Sequence, residues 1–562
     1  LQYRALAETQ ARQKAGRDVD LNFIYAEFLT LSGLDRTVVE QLQQLEQTIE
    51  QDIVVPRPEA IALMQFVIAS GKRVILASDM YLPRLIVESM LQQHGILGWH
   101  ALYLSLDIGI RKDTGDLYRQ LLSQENTSPS AVIVIGDNEH SDAQIPNILG
   151  IRGYHILRPV ELARATPRLE SIIENSFYRP VLNEQLTLGS IVQAGFSPLY
   201  YPGFSPANLF PPTPWIIGYA IVGPLILSFV QWLTSKAQTD NLSCLYFLAR
   251  EGQILKTVYD RWVAGQADAV PSDYLILSRR TITVPMITNL EDIYSIASTQ
   301  YYANSLRHFI QERYGVTLSD TECEKLDRQG VWKKNKQVNV DNGNMEHLKP
   351  VLQTLQQRIL DAAQTERPGL LAYLNKIGLS DSSSNAAIVD IGYSATIQSY
   401  LNRLLNKKIH GFYLVTTNRA EKVSSEFGVT ATGYYAHGIE PLTTRIPIYV
   451  QSFSLEKLMS SDDAQIVRYR LEASGDSVPE FRQLADEERQ SASTRAEIRR
   501  GILDFVTQSV MIRERWVSDF EVPMDVAVAL FDEFIQHASP AEQRILGTIV
   551  LDDHYCGRGL VS

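Results

Sequence analysis

The sequence predicts an α/β protein with two parallel sheets in tandem. Short runs of Val, Ile and Leu alternate with amphipathic helical stretches over 59–156 and again over 215–416, and several of these runs end in an acid or a small residue. Buried parallel strands read as continuous apolar runs because helices cover both faces of their sheet. The 562 residues are enough for roughly three to four domains.

Residues 1–57 read as helices with acidic and Gln-rich faces, most clearly from Val38 to Ile53, and Pro56 and Pro58 punctuate their exit. Helix 59–70, strand 73–78, helix 83–94, strand 101–105, helix 115–124, strand 131–136, helix 142–149 and strand 152–156 follow, so the first domain is 1–165. Residues 166–214, with Tyr200-Tyr201-Pro202-Gly203 and Pro211-Pro212, have little periodicity and read as a linker. The second alternation, 215–425, runs helix 215–236, strand 244–248, helix 253–263, strand 273–277, strand 386–390, helix 396–405 and strand 410–416. A helical insertion over about 285–380 interrupts it. Residues 426–562 read as a mainly helical, highly charged tail.

The net charge of −12 argues against a nucleic-acid partner, which would need a basic face. Cys244, Cys323 and Cys556 lie far apart in no metal-ligand spacing, which suits a reducing, cytoplasmic compartment. Trp215 to Leu233 is uncharged and long enough to be a membrane candidate. Pro224, Gln231 and two glycines favour a buried core helix, and a span would put the two sites below on opposite sides of a bilayer. No stable membrane span is therefore expected. The charged, helix-prone opening is not a signal peptide, and without an initiator Met the true N-terminus is expected upstream.

Two constellations carry chemistry. In the first, Val-Ile-Leu-Ala-Ser-Asp (74–79) places Ser78 at a strand end. Lys112 follows in Gly-Ile-Arg-Lys-Asp-Thr-Gly-Asp, and Val-Ile-Val-Ile-Gly-Asp-Asn-Glu-His-Ser-Asp (132–142) places Asp137 and Asp142 around a turn. A hydroxyl donor, a point cation and two acids suited to Mg²⁺ are the parts of a phosphoryl site. In the second, Ala-Ile-Val-Asp-Ile-Gly-Tyr-Ser-Ala-Thr-Ile (387–397) puts Asp390 at a strand end. Gly392, Ser394, Ala395 and Thr396 follow in a turn whose amides can cradle a dianion. Upstream, Leu-Tyr-Phe-Leu-Ala-Arg-Glu-Gly (245–252) brings Arg250, Glu251 and Gly252, and Tyr-Leu-Ile-Leu-Ser-Arg-Arg-Thr (274–281) brings Arg279 and Arg280, suited to clamping a pyrophosphate.

The first constellation resembles motifs two to four of the haloacid-dehalogenase (HAD) phosphatase superfamily over residues 1 to about 160. That resemblance implies a HAD-like parallel sheet with residues 1–57 as a helical cap. The family's first motif, a strand ending in Asp-x-Asp, is missing. The nearest match, Asp18-Val-Asp20, follows Gly-Arg rather than an apolar strand, so the expectation is an upstream nucleophile or an inactive phosphatase. The second constellation resembles the phosphoribosyl-pyrophosphate (PRPP) loop and pyrophosphate loop of phosphoribosyltransferases. Ile391 stands where that family usually has a second acid.

Together they resemble HAD fusions of bacterial surface-polysaccharide gene clusters. What this implies is transfer of ribose 5-phosphate from PRPP to a glycan acceptor with Mg²⁺, followed by removal of the 5-phosphate. Peripheral association with membrane-bound glycan assembly is the membrane contact that it allows. Glu456, in Ser-Leu-Glu-Lys, is the candidate acceptor-side base. A phosphatase with a non-catalytic second domain and a decayed scaffold of polysaccharide assembly remain as alternatives.

Overall fold

Helix formation in the N-terminal part starts where acids cap it: Asp20 and Asp35 accept the N–H of Phe23 and Thr37, opening helices Leu21–Ser32 and Arg36–Ile53. The computed structural model describes residues 2–16, 18–178, 181–198 and 205–562, without the side chains of Phe177 and Tyr178. It is a mixed α/β fold with parallel sheets, 56% helical and 13% strand. Two compact units divide the chain, Leu1–Ala163 with Gly195–Gly203, and Arg164–Ala194 with Phe204–Ser562.

In the first unit those helices and Gln2–Ala15 close a small core around Ala7, Ala11, Ile24, Tyr25 and Val39, joined by Leu82 and Met90. Four strands follow: β1 (Ile75–Ser78), β2 (Ala101–Leu104), β3 (Ile133–Gly136) and β4 (Arg152–His155). β1 pairs in parallel with β2, and β3 with β4. No ladder joins the two pairs among the described residues, so the expected single sheet is instead two parallel pairs. β3 consequently leaves Ile133 and Ile135 57% and 47% exposed.

The second unit is built on five parallel strands with an insertion. β5 (Cys244–Leu248) and β6 (Ser272–Leu275) come first. β7 (Tyr301–Ser305) and β8 (Gln337–Val340) form a short antiparallel pair inside the otherwise largely helical insertion over about 285–380. β9 (Ala386–Asp390), β10 (His410–Thr417) and β11 (Ala431–Ile439) complete the sheet in the order β11-β10-β9-β5-β6. Numbering only these five by their order in the chain gives 2-1-3-4-5, a doubly wound sheet whose winding reverses between β5 and β9.

The tail is mainly helical, with strands at three places. β11 lies beyond residue 425, and two further antiparallel pairs follow, β12 (Ile466–Leu471) with β13 (Ser477–Phe481) and β14 (Leu551–Asp553) with β15 (Gly559–Val561). Their charged, short strands carry little apolar alternation, which is why the composition reads as helix. The linker reading of 166–214 is corrected by helices Pro167–Tyr178 and Leu182–Phe196, while Tyr200-Tyr201-Pro202-Gly203 lies outside the described residues.

The apolar stretch forms helix Pro214–Thr239, the one helix among the described residues long and apolar enough to cross a membrane, and 94% of its most apolar window is buried within the fold. It packs against helix Ala492–Arg515 at backbone contact distance, because a Cβ on Gly218 would strike the Ile498 carbonyl and one on Gly501 the Trp215 carbonyl.

Candidate functional site

In the first unit Lys112 ties two strand ends together. Its backbone N–H donates to both carboxylate oxygens of Asp79, the residue after β1, at 3.1 and 3.3 Å, and its Nζ donates to Asp142 Oδ1 at 2.6 Å. Asp142 also accepts from Tyr118 Oη at 3.2 Å and from the Asn138 N–H at 3.2 Å. Ser78 ends β1, and its hydroxyl makes no hydrogen bond among the described residues. Burial pushes the Asp79 carboxyl up, against the downward pull of the Lys112 N–H and of the Lys112 and Arg111 charges.

Asp137 is exposed, whereas Asp142 is buried and accepts from Lys112, Tyr118, Ser141 and the Asn138 N–H. Among the described residues no group of three or more His, Cys, Asp or Glu side chains is gathered for a metal ion, and Mg²⁺ commonly takes only one or two carboxylates beside its waters. Asp18 and Asp20 are structural: Asp18 is buried and accepts from Arg12 and, at 2.5 Å, from Ser105 Oγ, and Asp20 is a helix cap.

The second site occupies the carboxyl ends of β5 and β9, on either side of the winding reversal. A ligand crevice forms there because the helices following the two strands depart to opposite faces of the sheet. After β5 come Ala249, Arg250, Glu251 and Gly252, the last opening helix Gly252–Trp262. After β9 the chain runs from Asp390 through Gly392, Tyr393, Ser394 and Ala395 into helix Thr396–Leu405. Gly392 has φ 151°, and a Cβ there would meet the Val415 carbonyl oxygen at 2.6 Å, so the tight path requires glycine. The Ala249–Arg250 and Gly392–Tyr393 peptide bonds are cis. Ser394 Oγ sits 3.1 Å from Thr417 Oγ1 at the end of β10, and the Thr417 N–H donates to the Tyr393 carbonyl at 2.8 Å, anchoring the loop to the sheet. Ala395, at φ 54°, turns the chain into the helix.

Hydrogen-bonding capacity is left over at this place. Among the described residues, no backbone N–H from Gly392 to Thr396 donates to a protein acceptor, and neither does the Arg279 guanidinium. The Glu456 carboxylate accepts none, and the buried Tyr393 hydroxyl is unpartnered. Buried polar groups are nearly always paired, so the orphaned Tyr393 hydroxyl is the exception here, while the free N–H groups, Arg279 and Glu456 beside it are mostly half-buried or exposed and within reach of a ligand.

The electrostatics agree. Burial pushes the Asp390 carboxyl well above the ordinary range, and the neighbouring Glu251 and Glu456 charges push it further against Arg279. Burial and then Glu251 raise Glu456 to about 7, with Arg279 and Arg250 opposing and Asp553 adding. Arg279 feels Cys556, Glu456, Tyr555 and Asp553 around it, and the residue as a whole is exposed.

Arg279 and Arg280 part company. Arg280 is 5% exposed and locked to Glu366, with Nη1 and Nη2 each 2.8 Å from a carboxylate oxygen, so it does not join the crevice. This corrects its assignment as a pyrophosphate clamp: as the second residue of helix Arg279–Met286 it leaves the helix about 100° round the axis from its neighbour. Arg250 lies at the site's edge, with Nη1 3.7 Å from Glu488 and Nη2 3.5 Å from the Asp552 carbonyl.

Tyr393, Asp553, Tyr555 and Cys556 were not singled out by sequence. Tyr393 lies inside the stretch already marked, where an aromatic residue between two small ones is the available signal. The other three come from the turn between β14 and β15, whose meeting with Arg279 spans most of the second unit and leaves no periodic trace. No family model matches this chain, and no curated protein matches it.

Proposed function

We propose that the second unit transfers ribose 5-phosphate from PRPP to a hydroxyl of a surface-polysaccharide glycan, and that the first unit serves a HAD-type removal of the 5-phosphate. The observation that carries this reading is the cluster of unpaired donors at the winding reversal. Five successive free N–H groups suit a phosphate dianion, and the free Arg279 fork suits a pyrophosphate. Asp390, beside the N–H run, is placed for the ribose hydroxyls, with Arg250, Glu251 and Gly252 forming the opposite wall from β5. Mg²⁺ would arrive on the pyrophosphate oxygens, since it usually keeps several waters and takes few protein ligands.

Calorimetric titration of PRPP with Mg²⁺ into the chain, beside an Asp390→Ala, Thr396→Ala variant, tests the reading. Saturable binding that the variant loses supports it, and no binding by the intact chain sinks it.

A second reading, a HAD-type phosphatase with a non-catalytic second unit, draws on Lys112 bridging Asp79 and Asp142. It predicts hydrolysis of p-nitrophenyl phosphate that Lys112→Ala abolishes and Asp390→Ala leaves unchanged.

A further inference from the structure

We propose that Glu456 takes the proton from the acceptor hydroxyl, with the unpartnered Tyr393 phenol positioning that hydroxyl for attack. The inference rests on the transferase reading and assigns its second substrate a place: the side of the crevice formed by helix Ser452–Met459, where Glu456 and Tyr393 meet.

Three carboxylates meet at the crevice, and only one of them accepts no hydrogen bond. Glu251 already accepts the Arg250 N–H at 3.3 Å, and Asp390 accepts the Ile391 N–H at 2.8 Å. Glu456 accepts no hydrogen bond among the described residues and forms no ion pair within 4 Å. It comes from a helix outside the two strand-end loops, so it need not release a phosphate contact to act. The groups around it are Glu251 from the β5 loop, Arg250 beside it, Arg279 from the helix after β6, Asp390 from β9, and Asp553 from the last hairpin. Burial first, and then the balance of those charges, raises Glu456 to about 7, where a general base is both ionised and basic enough to work.

Tyr393 supplies the second observation. Its ring packs edge-on against Tyr449, with centroids 5.3 Å apart at 84°, which holds the phenol in place. Its hydroxyl is buried, makes no hydrogen bond within 3.5 Å, and feels Glu456, the neighbouring Ser452 side chain and Asp390. In the step, the acceptor oxygen forms a bond to the ribose anomeric carbon as the bond from that carbon to the pyrophosphate oxygen breaks. Pyrophosphate leaves with the bonding electron pair, and the acceptor's proton passes to the Glu456 carboxylate.

The test measures pyrophosphate release from PRPP, with water and then glycerol as the hydroxyl, together with calorimetric PRPP affinity. Expected for wild type is a rate that climbs with pH and levels above about 7. Glu456→Gln should lose about 10²–10⁴-fold in rate while binding PRPP within about threefold of wild type. Glu456→Asp should keep part of the rate, and Tyr393→Phe should lower it without moving the pH profile. A Glu456→Gln variant with an undiminished rate overturns the proposal, as does one that loses PRPP affinity in proportion. A wild type that binds PRPP but releases no pyrophosphate to either hydroxyl overturns it too. A wild type that binds no PRPP brings down the transferase reading itself.

Discussion

Arg280 and Glu366 meet as two parallel hydrogen bonds of 2.8 Å each, buried between helix Arg279–Met286 and helix Lys349–Lys376. The pair pins the insertion's long helix to the sheet, and the Val467 carbonyl takes a further bond from the same guanidinium. Removing one partner of a buried pair leaves an uncompensated charge. Arg280→Ala should therefore cost about 3–5 kcal/mol of stability, read by denaturant unfolding. Arg279→Ala should leave stability within about 0.5 kcal/mol and abolish PRPP binding. Equal losses of stability in the two variants would contradict the division of labour.

Gly392→Ala should break the anion loop. The new Cβ would press on the Val415 carbonyl at a φ that side chains avoid. A strained position costs on the order of 1–3 kcal/mol. PRPP affinity should fall at least tenfold, and calorimetry checks it.

The pH behaviour of Glu456 gives a stability test independent of turnover. In the unfolded chain its carboxyl titrates at the ordinary 4.5, and in the folded chain at about 7. The folded state therefore binds the extra proton between those values, and stability falls as pH rises through that window. Above it, an ionised Glu456 sits beside Glu251. Glu456→Gln should raise the thermal midpoint by roughly 1–3 °C at pH 8 and by less at pH 5, measured by scanning calorimetry. A larger gain at pH 5 would reverse the assigned direction.

Arg313 holds the last hairpin in position. It is 1% exposed, stacks 4.2 Å from the Tyr555 ring centroid and 5.4 Å from that of Tyr301, and donates to the carbonyls of Tyr555, Ile296 and Gln300. A lysine cannot reproduce that planar fork. Arg313→Lys should speed amide exchange in 551–561 more than in β5 or β9, followed by mass spectrometry. It should also weaken PRPP binding, because Asp553 and Tyr555 border Arg279.

In the first unit, Lys112→Ala leaves Asp142 buried with Tyr118, the Ser141 hydroxyl and the Asn138 N–H as donors but no cation. The loss is expected at about 3–5 kcal/mol, with faster exchange in 132–142 and at the end of β1. Exchange unchanged in both segments would mean that Lys112 does not couple the two strand ends.

Sequence by itself determined the alternation of strands and helices in both units, because each element writes its own period into nearby residues. Strand Ala386–Asp390 and helix Thr396–Leu405 fall at the residues that their patterns predict, and the apolar stretch from Trp215 is a buried helix for the reason its Pro, Gly and Gln suggest. The small-residue turn after Asp390 was legible in the same way, since only glycine suits the path at residue 392. Tertiary structure decided what no local pattern records. It set the strand order that places Asp390 beside Glu251, and it sent Arg280 to Glu366 while leaving Arg279 free. It also brought Glu456 and Asp553 to the same crevice. Those outcomes depend on contacts between residues far apart in the chain, and a charged residue carries the same local signature whether its partner is a distant carboxylate, a ligand or water.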